Sequence, residues 1–231
     1  MHWFFDPGIS ETSTHIAKSE LQHFRSLRLS NGDQITISSG LGFGFVAKVV
    51  DVEKGELELG QKLISNRRPR VHLMQAIAKG GRDESALQAC CEVGIASVTA
   101  FEAERSVANW KGKEQRNIER WEQIAASAMK QSQQLWLPKV SFAKSTTDLT
   151  PVGVGLVLDP RAEIAISEVE PSDEFSIVIG PEGGFSPTEL DRLKDKGFTA
   201  VRLGNSVLRT STAGVVATAC LQLLSGDFGN A

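Results

Sequence analysis

A carboxylate and a guanidinium sit on two glycine-bearing stretches near the C-terminus: Glu182 in Gly180-Pro181-Glu182-Gly183-Gly184-Phe185, and Arg209 in Leu208-Arg209-Thr210-Ser211-Thr212-Ala213. Glycines permit backbone dihedrals and a close ligand approach that side chains would block, and Glu182 adds an acidic group at the same point. A plain strand-to-helix turn seldom needs Gly, Pro, Gly and Gly together, so the first stretch reads as a ligand loop. In the second, Leu203-Gly204 opens a loop that leads into a helix of small residues, Ala213, Gly214, Ala217 and Ala219. Such a helix start offers free N–H groups, and its small side chains admit a ligand or another helix. Anion binding, adenosine binding and tight dimer packing all stay open on these residues. For Arg209 alone, a structural salt bridge is as common as a functional role.

Other chemistries lack their residues. The phosphate-binding GxxxxGK[ST] pattern is absent, and Gly204-Asn205-Ser206-Val207-Leu208 lacks the last glycine of the GxSxG elbow. Gly40-Leu41-Gly42-Phe43-Gly44 lies between β-like runs with no helix after it, so it reads as a hairpin loop and not as a dinucleotide fingerprint. The histidines His2, His15, His23 and His72 have no metal-ligand spacing, and no metal site is expected. Basic residues recur at Arg67, Arg68, Arg70, Lys79, Arg82, Arg105 and Lys111. A solvated surface is their usual meaning, but Lys79-Gly80-Gly81-Arg82 follows a strand and could line the same sheet edge as the glycine loops.

The elements that must position these residues follow from periodicity. Up to about Ile64 the chain reads as a small antiparallel β unit, with runs at Gln34 to Ser38, Gly44 to Val52 and Glu56 to Leu63. One helix interrupts it at Ser19 to Leu27: Ser19 and Gln22 make a capping-box pattern, Leu21, Phe24 and Leu27 share a face, and His23, Arg25 and Arg28 lie on the polar side. A polar, basic, proline-bearing segment at 65–70 marks a domain boundary, giving domains 1–66 and 71–231. Beyond it, strands at Val71 to Ala78, Ser97 to Phe101, Val154 to Leu158, Phe175 to Ile179 and Thr199 to Leu203 alternate with helices, the pattern of a largely parallel α/β sheet. The first helix has a core face of Leu87, Cys90, Cys91 and Gly94. The long one, from about Lys113 to Gln134, has Trp121, Ile124, Ala125, Ala128 and Met129. Ser186-Pro187-Thr188-Glu189 combines an N-cap serine, a first-turn proline and a capping-box glutamate, so a helix starts directly after the GPEGGF loop.

Composition is that of an ordinary globular chain, 41% hydrophobic and 23% charged. A formal net charge of −3 excludes an overall basic protein but leaves room for a local basic stripe. The early apolar run Trp3 to Phe5 is broken by Asp6 and Pro7, so neither a signal peptide nor a membrane span is expected and the cytoplasm is the default location. Three cysteines without a CxxC pair fit reduced, buried thiols.

On these residues the chain resembles a known family, the bacterial 16S ribosomal RNA uridine-N3 methyltransferases named ribosomal RNA small subunit methyltransferase E, within the SPOUT superfamily. IGPEGGFS at Ile179 to Ser186 and LGNSVLRTSTA at Leu203 to Ala213 carry the resemblance, in the right order and near the C-terminus. Weaker matches extend it along nearly the whole chain: His23-Phe24-Arg25 with Leu27-Arg28-Leu29, Lys79 to Arg82, Cys91 to Ile95, Glu104 to Ser106, Arg120-Trp121, and Gln131-Ser132 ahead of Pro138. The resemblance implies an N-terminal PUA-like β-barrel for RNA and a C-terminal α/β domain with a deep trefoil knot, which periodicity would never suggest because knots are nearly absent from protein folds. It also implies S-adenosylmethionine as cofactor, held by Leu158, Gly180, Pro181, Glu182, Gly183, Leu203, Gly204, Leu208, Thr210 and Ala213. The implied partners are 16S ribosomal RNA within the small ribosomal subunit, met by Arg25, Arg28, Lys79, Arg82 and Arg105, and a second copy of the chain in a homodimer.

The implied chemistry is transfer of a sulfonium methyl to a uridine ring nitrogen, with the base unpaired and its imide proton lost. Arg209 would stabilise the developing uracil anion, and Glu182 is the sole carboxylate of the two loops available as a base. The family pattern is broken at Ser211, where glutamate is common, and at Lys130, where an acidic residue precedes Gln131-Ser132. Two other readings belong to different classes: a related SPOUT enzyme acting on another base or on a ribose 2′-hydroxyl, and a catalytically inactive RNA-binding ribosome-assembly factor.

Overall fold

The computed structural model describes residues 2–66 and 70–226. It divides into two compact units, Met1–Arg68 with Ala126–Leu137, and Pro69–Ala125 with Pro138–Ala231. Arg67 and Arg68, within the boundary segment read at 65–70, lie outside the described residues.

The first unit contains β1 (His2–Phe5), α1 (Leu21–Ser26), β2 (Gln34–Ser38), β3 (Phe43–Asp51) and β4 (Glu56–Ile64), with the strands in the order β1-β2-β3-β4. Along β3, Phe45, Ala47 and Val49 alternate inward, as a two-residue period requires, onto Phe4, Phe24, Ile35 and Ile37. Phe24 is the buried anchor of α1, with Leu21 and Leu27 packed beside it. The glycine-rich run at 40–44 is the hairpin between β2 and β3. Gly42 must be glycine there: its φ is +89°, and an added Cβ would run into the Trp136 indole.

Two expectations for this unit fail. β1 pairs parallel with β2, in the register His2↔Ile35, because the chain between them carries α1 and is long enough for a crossover; a tight turn would have forced the antiparallel arrangement. The capping box at Ser19 does not form. The N-cap is Glu20, which makes no side-chain cap, and its carboxylate instead accepts from Lys130 Nζ at 2.6 Å.

The second unit contains β5 (Val71–Ala76), α2 (Arg82–Val93), β6 (Ser97–Phe101), α3 (Glu114–Gln131, of which the residues from Ala126 on belong to the first unit), β7 (Lys139–Ala143), β8 (Val154–Leu158), β9 (Ile164–Ala165), β10 (Phe175–Ile179), α4 (Pro187–Asp195), β11 (Phe198–Arg202) and α5 (Thr210–Leu224). Its seven strands lie in the order β7-β6-β5-β10-β8-β11-β9, and every pair is parallel. All five residues of β10 are buried, as expected for a strand covered on both faces. The expected stripes of α2 and α3 are buried, apart from a half-buried Ile124. Gly214 lets α5 approach closely: an added Cβ would lie 3.2 Å from Cys90 Sγ and 3.3 Å from Leu73 Cδ1. The three cysteines are free thiols, with Cys90 and Cys91 buried and Cys220 half-buried.

Candidate functional site

β10, β8 and β11 are neighbours in the sheet, so their carboxyl ends bring three loops together. Leu158-Asp159-Pro160-Arg161 follows β8, the GPEGGF loop follows β10, and Leu203 to Arg209 follows β11. Open parallel sheets bind ligands at such strand ends. Here the loops line a cavity of about 640 Å³, within the range of roughly 300–1,000 Å³ that holds small molecules.

The first loop is held from both sides. Gly180 leaves room for Phe185, whose ring would lie 3.0 Å from an added Cβ and which stacks on Phe101 at 6.4 Å and 4°. Gly183 lies close to Arg105, and an added Cβ would stand 3.0 Å from the Arg105 Cβ; the Arg105 guanidinium donates to the Gly183 carbonyl at 3.2 Å. The predicted cap of α4 forms. Ser186 Oγ accepts from Glu189 N at 3.1 Å, and Glu189 Oε2 accepts from Ser186 N at 2.9 Å. Glu189 is 1% exposed, and its Oε1 also accepts from Glu104 N at 2.9 Å, tying the start of α4 to the chain beyond β6.

The second loop is fastened to the first through Thr210, the opening residue of α5. Its hydroxyl donates to the Gly180 carbonyl at 2.9 Å and accepts from Gln75 Nε2 at 2.8 Å. Arg209, the N-cap of α5, is exposed, and no ion pair engages it among the described residues. It therefore adds a full positive charge to the positive end of a helix, a setting that favours developing negative charge.

Four arginines and two carboxylates line the cavity, Arg82, Arg105, Arg161 and Arg209 against Asp159 and Glu182. Arg82 Nη1 donates to Glu182 Oε1 at 3.0 Å. Arg161 binds Asp159 in a fork, Nε to Oδ1 at 3.0 Å and Nη2 to Oδ2 at 2.9 Å; this side-chain pairing holds the Asp159 carboxyl below its ordinary value against the opposing effect of burial.

The structure brings together Leu158, Gly180, Pro181, Glu182, Gly183, Leu203, Gly204, Leu208, Arg209, Thr210 and Ala213, with Arg82 and Arg105 beside them. Lys79 is exposed just before the Gly80-Gly81 turn and does not line the cavity. Arg25 and Arg28 are exposed on the first unit, where the Arg25 guanidinium donates to the Glu53 carbonyl. Sequence reasoning missed Asp159, Pro160 and Arg161. An Asp-Pro-Arg step directly after an apolar strand was the available signal. Among the described residues no group of three or more His, Cys, Asp or Glu side chains could hold a metal ion, and no helix is long and apolar enough to cross a membrane.

The family model for the RNA methyltransferase domain matches residues 66–222. The ribosomal RNA small subunit methyltransferase E of Mycobacterium bovis is 35% identical over 212 residues, covering 86% of this chain and 81% of the relative. Among solved structures, a ribosomal RNA small subunit methyltransferase E from Neisseria gonorrhoeae bound to S-adenosyl methionine has 26% identity and a TM-score of 0.87, over 97% of this chain and 98% of that one. A methyltransferase from Legionella pneumophila, described as putative and in complex with the same cofactor, has 28% identity and a TM-score of 0.85, over 96% of each chain.

Proposed function

The chain belongs to the ribosomal RNA small subunit methyltransferase E family of RNA methyltransferases, and from that premise we propose that it methylates N3 of a specific uridine in 16S ribosomal RNA, using S-adenosylmethionine. The observation that carries this reading is the convergence of the loops after β8, β10 and β11 on one cavity, lined by the residues the family resemblance assigns to the cofactor. The cavity fits such a group: its size is adequate, and at Gly184 and Gly204, which line it, an added Cβ would meet no protein atom within 4 Å, so the backbone there is open to a ligand. When bound, the cofactor supplies a methyl group already activated on a sulfonium sulfur.

This chain's own residues then position, neutralise and accept. The loops after β8, β10 and β11 would hold the cofactor beside the uridine, where it would supply its methyl group to N3. The uridine must be unpaired, because N3 faces the Watson–Crick edge. Arg209, exposed at the cavity and free of an ion pair among the described residues, stabilises the uracil anion as N3 loses its proton. Glu182 takes that proton: Arg82 engages Oε1 and leaves Oε2 for the imide. Arg82 and Arg105 at the cavity, with Lys79, Arg25 and Arg28, meet the RNA phosphates.

The same reading makes 1–66 a PUA-like RNA-binding barrel and 71–231 a SPOUT domain with a deep trefoil knot. The path of the chain supports the knot: β11 lies beyond β8, yet α5 returns to pack on α2, β5 and β10. A homodimer is supported by the outer stripe of α5, where Val216 and Ala219 are half-buried and Leu223 is 67% exposed. The small ribosomal subunit is the substrate, and the cytoplasm the place of action.

The test is incubation with small ribosomal subunits lacking this methylation and with labelled cofactor, followed by digestion and nucleoside analysis. Labelled 3-methyluridine is expected. A labelled 2′-O-methyl nucleoside or a different methylated base would overturn the assignment to N3, and no label would overturn the enzyme.

A further inference from the structure

Gln75 is fully buried near the carboxyl end of β5 and pairs in register with Ile179, the residue before Gly180. It does not line the cavity. Its Nε2 donates to the Ala76 carbonyl at 3.0 Å and to Thr210 Oγ1 at 2.8 Å. A carbonyl can only accept, so Ala76 fixes which end of the carboxamide is the nitrogen. A hydroxyl has one proton, so the donor arriving from Gln75 leaves Thr210 to give its own proton to the Gly180 carbonyl, 2.9 Å away. The arrangement has a cost: Gln75 Oε1 is buried with no partner among the described residues. An apolar side chain of similar size would avoid that cost but would leave the Thr210 hydroxyl undirected.

We propose that Gln75 is a positioning residue for the cofactor site. From beneath the cavity it directs the Thr210 hydroxyl onto Gly180 and so fixes the separation between the GPEGGF loop and the start of α5. The proposal rests on the cofactor reading above, because the loops it spaces are the ones assigned to S-adenosylmethionine.

The full-length protein tests it, with Gln75→Leu, Thr210→Val, the double variant and Thr210→Ser compared by calorimetric titration with S-adenosylmethionine and by thermal unfolding. Gln75→Leu and Thr210→Val should each weaken cofactor binding about tenfold, the equivalent of one net hydrogen bond. The double variant should be no worse than either single one, because both cut the same relay. Thr210→Ser, which keeps the hydroxyl, should bind more tightly than Thr210→Val. A Gln75→Leu protein with a lowered unfolding temperature but unchanged cofactor affinity would make Gln75 merely structural and overturn the proposal, as would additive losses in the double variant. If the wild-type protein binds no S-adenosylmethionine, the cofactor reading fails by itself. The relay is then read from amide hydrogen exchange: faster exchange at 180–185 and 204–210 in Gln75→Leu supports it, and unchanged exchange overturns it.

Discussion

Arg82 Nη1 lies 3.0 Å from Glu182 Oε1, joining the first turn of α2 to the glycine loop after β10. The two side chains are 40% and 24% exposed, so the pair is worth no more than about 1 kcal/mol of stability. Its consequence should appear in activity. Glu182→Gln is expected to lower kcat by about a hundredfold, the lower end of what a lost proton acceptor costs, with thermal stability little changed. Arg82→Ala should cost less, since it removes the restraint and keeps the acceptor. Equal losses in single-turnover assays would show that the pair works only as a clamp.

Arg209 needs no partner to hold the fold, since it is exposed and no ion pair engages it among the described residues. Arg209→Ala should therefore leave cofactor affinity near its wild-type value while lowering methyl transfer by about a hundredfold or more, as for a lost anion-stabilising donor. Calorimetry paired with single-turnover rates separates the two effects. Full activity would remove Arg209 from the mechanism.

Glu189 satisfies two backbone N–H groups from a nearly inaccessible position, Ser186 N with Oε2 and Glu104 N with Oε1. Glu189→Ala would strip both and should destabilise the protein by about 3 kcal/mol, from a lost cap and an orphaned buried donor. Urea unfolding with an unchanged m-value would measure this directly.

Lys130 Nζ lies 2.6 Å from Glu20 Oε1, with only 21% and 10% of the two side chains exposed. The charge at 130 is thus matched by a carboxylate from α1's N-cap. Lys130→Met should cost about 3 kcal/mol by leaving Glu20 uncompensated, whereas adding Glu20→Leu should recover most of it. A double-mutant cycle on thermal stability checks the coupling.

Burial pushes the Cys90 thiol up to about 12 and raises Cys91 as well, desolvation being the main cause for both. A disulfide-exchange reagent at pH 8 should therefore find neither thiol in the native protein. Both should react within the time of unfolding once denaturant is added. Rapid native labelling of either, located by peptide mass spectrometry, would contradict their burial on α2.

Local chemistry explains what could be read in the chain. Phe175 to Ile179 carries no charge and is a strand buried along its whole length, and Ser186-Pro187-Thr188-Glu189 caps α4 as its residue types require. Strands at the sheet's margins were invisible for a local reason too. β7 carries exposed and half-buried residues over most of its five, and β9 has two residues, too few to set a period. At Ser19 a good local cap lost to Glu20, whose partner Lys130 is distant in sequence.

The sequence by itself determined the two glycine-bearing loops, the helix starts behind them and the parallel alternation of strands, because dihedral freedom, capping and hydrophobic period act between near neighbours. Tertiary structure alone decided that the strand ending at Leu158 lies between the strands ending at Ile179 and Arg202. That order brings Asp159 and Arg161 into the cavity and sets Gln75 beneath Thr210. The reason is physical: neighbours in a parallel sheet are chosen by burial and register between segments far apart in the chain, and no local pattern encodes that choice.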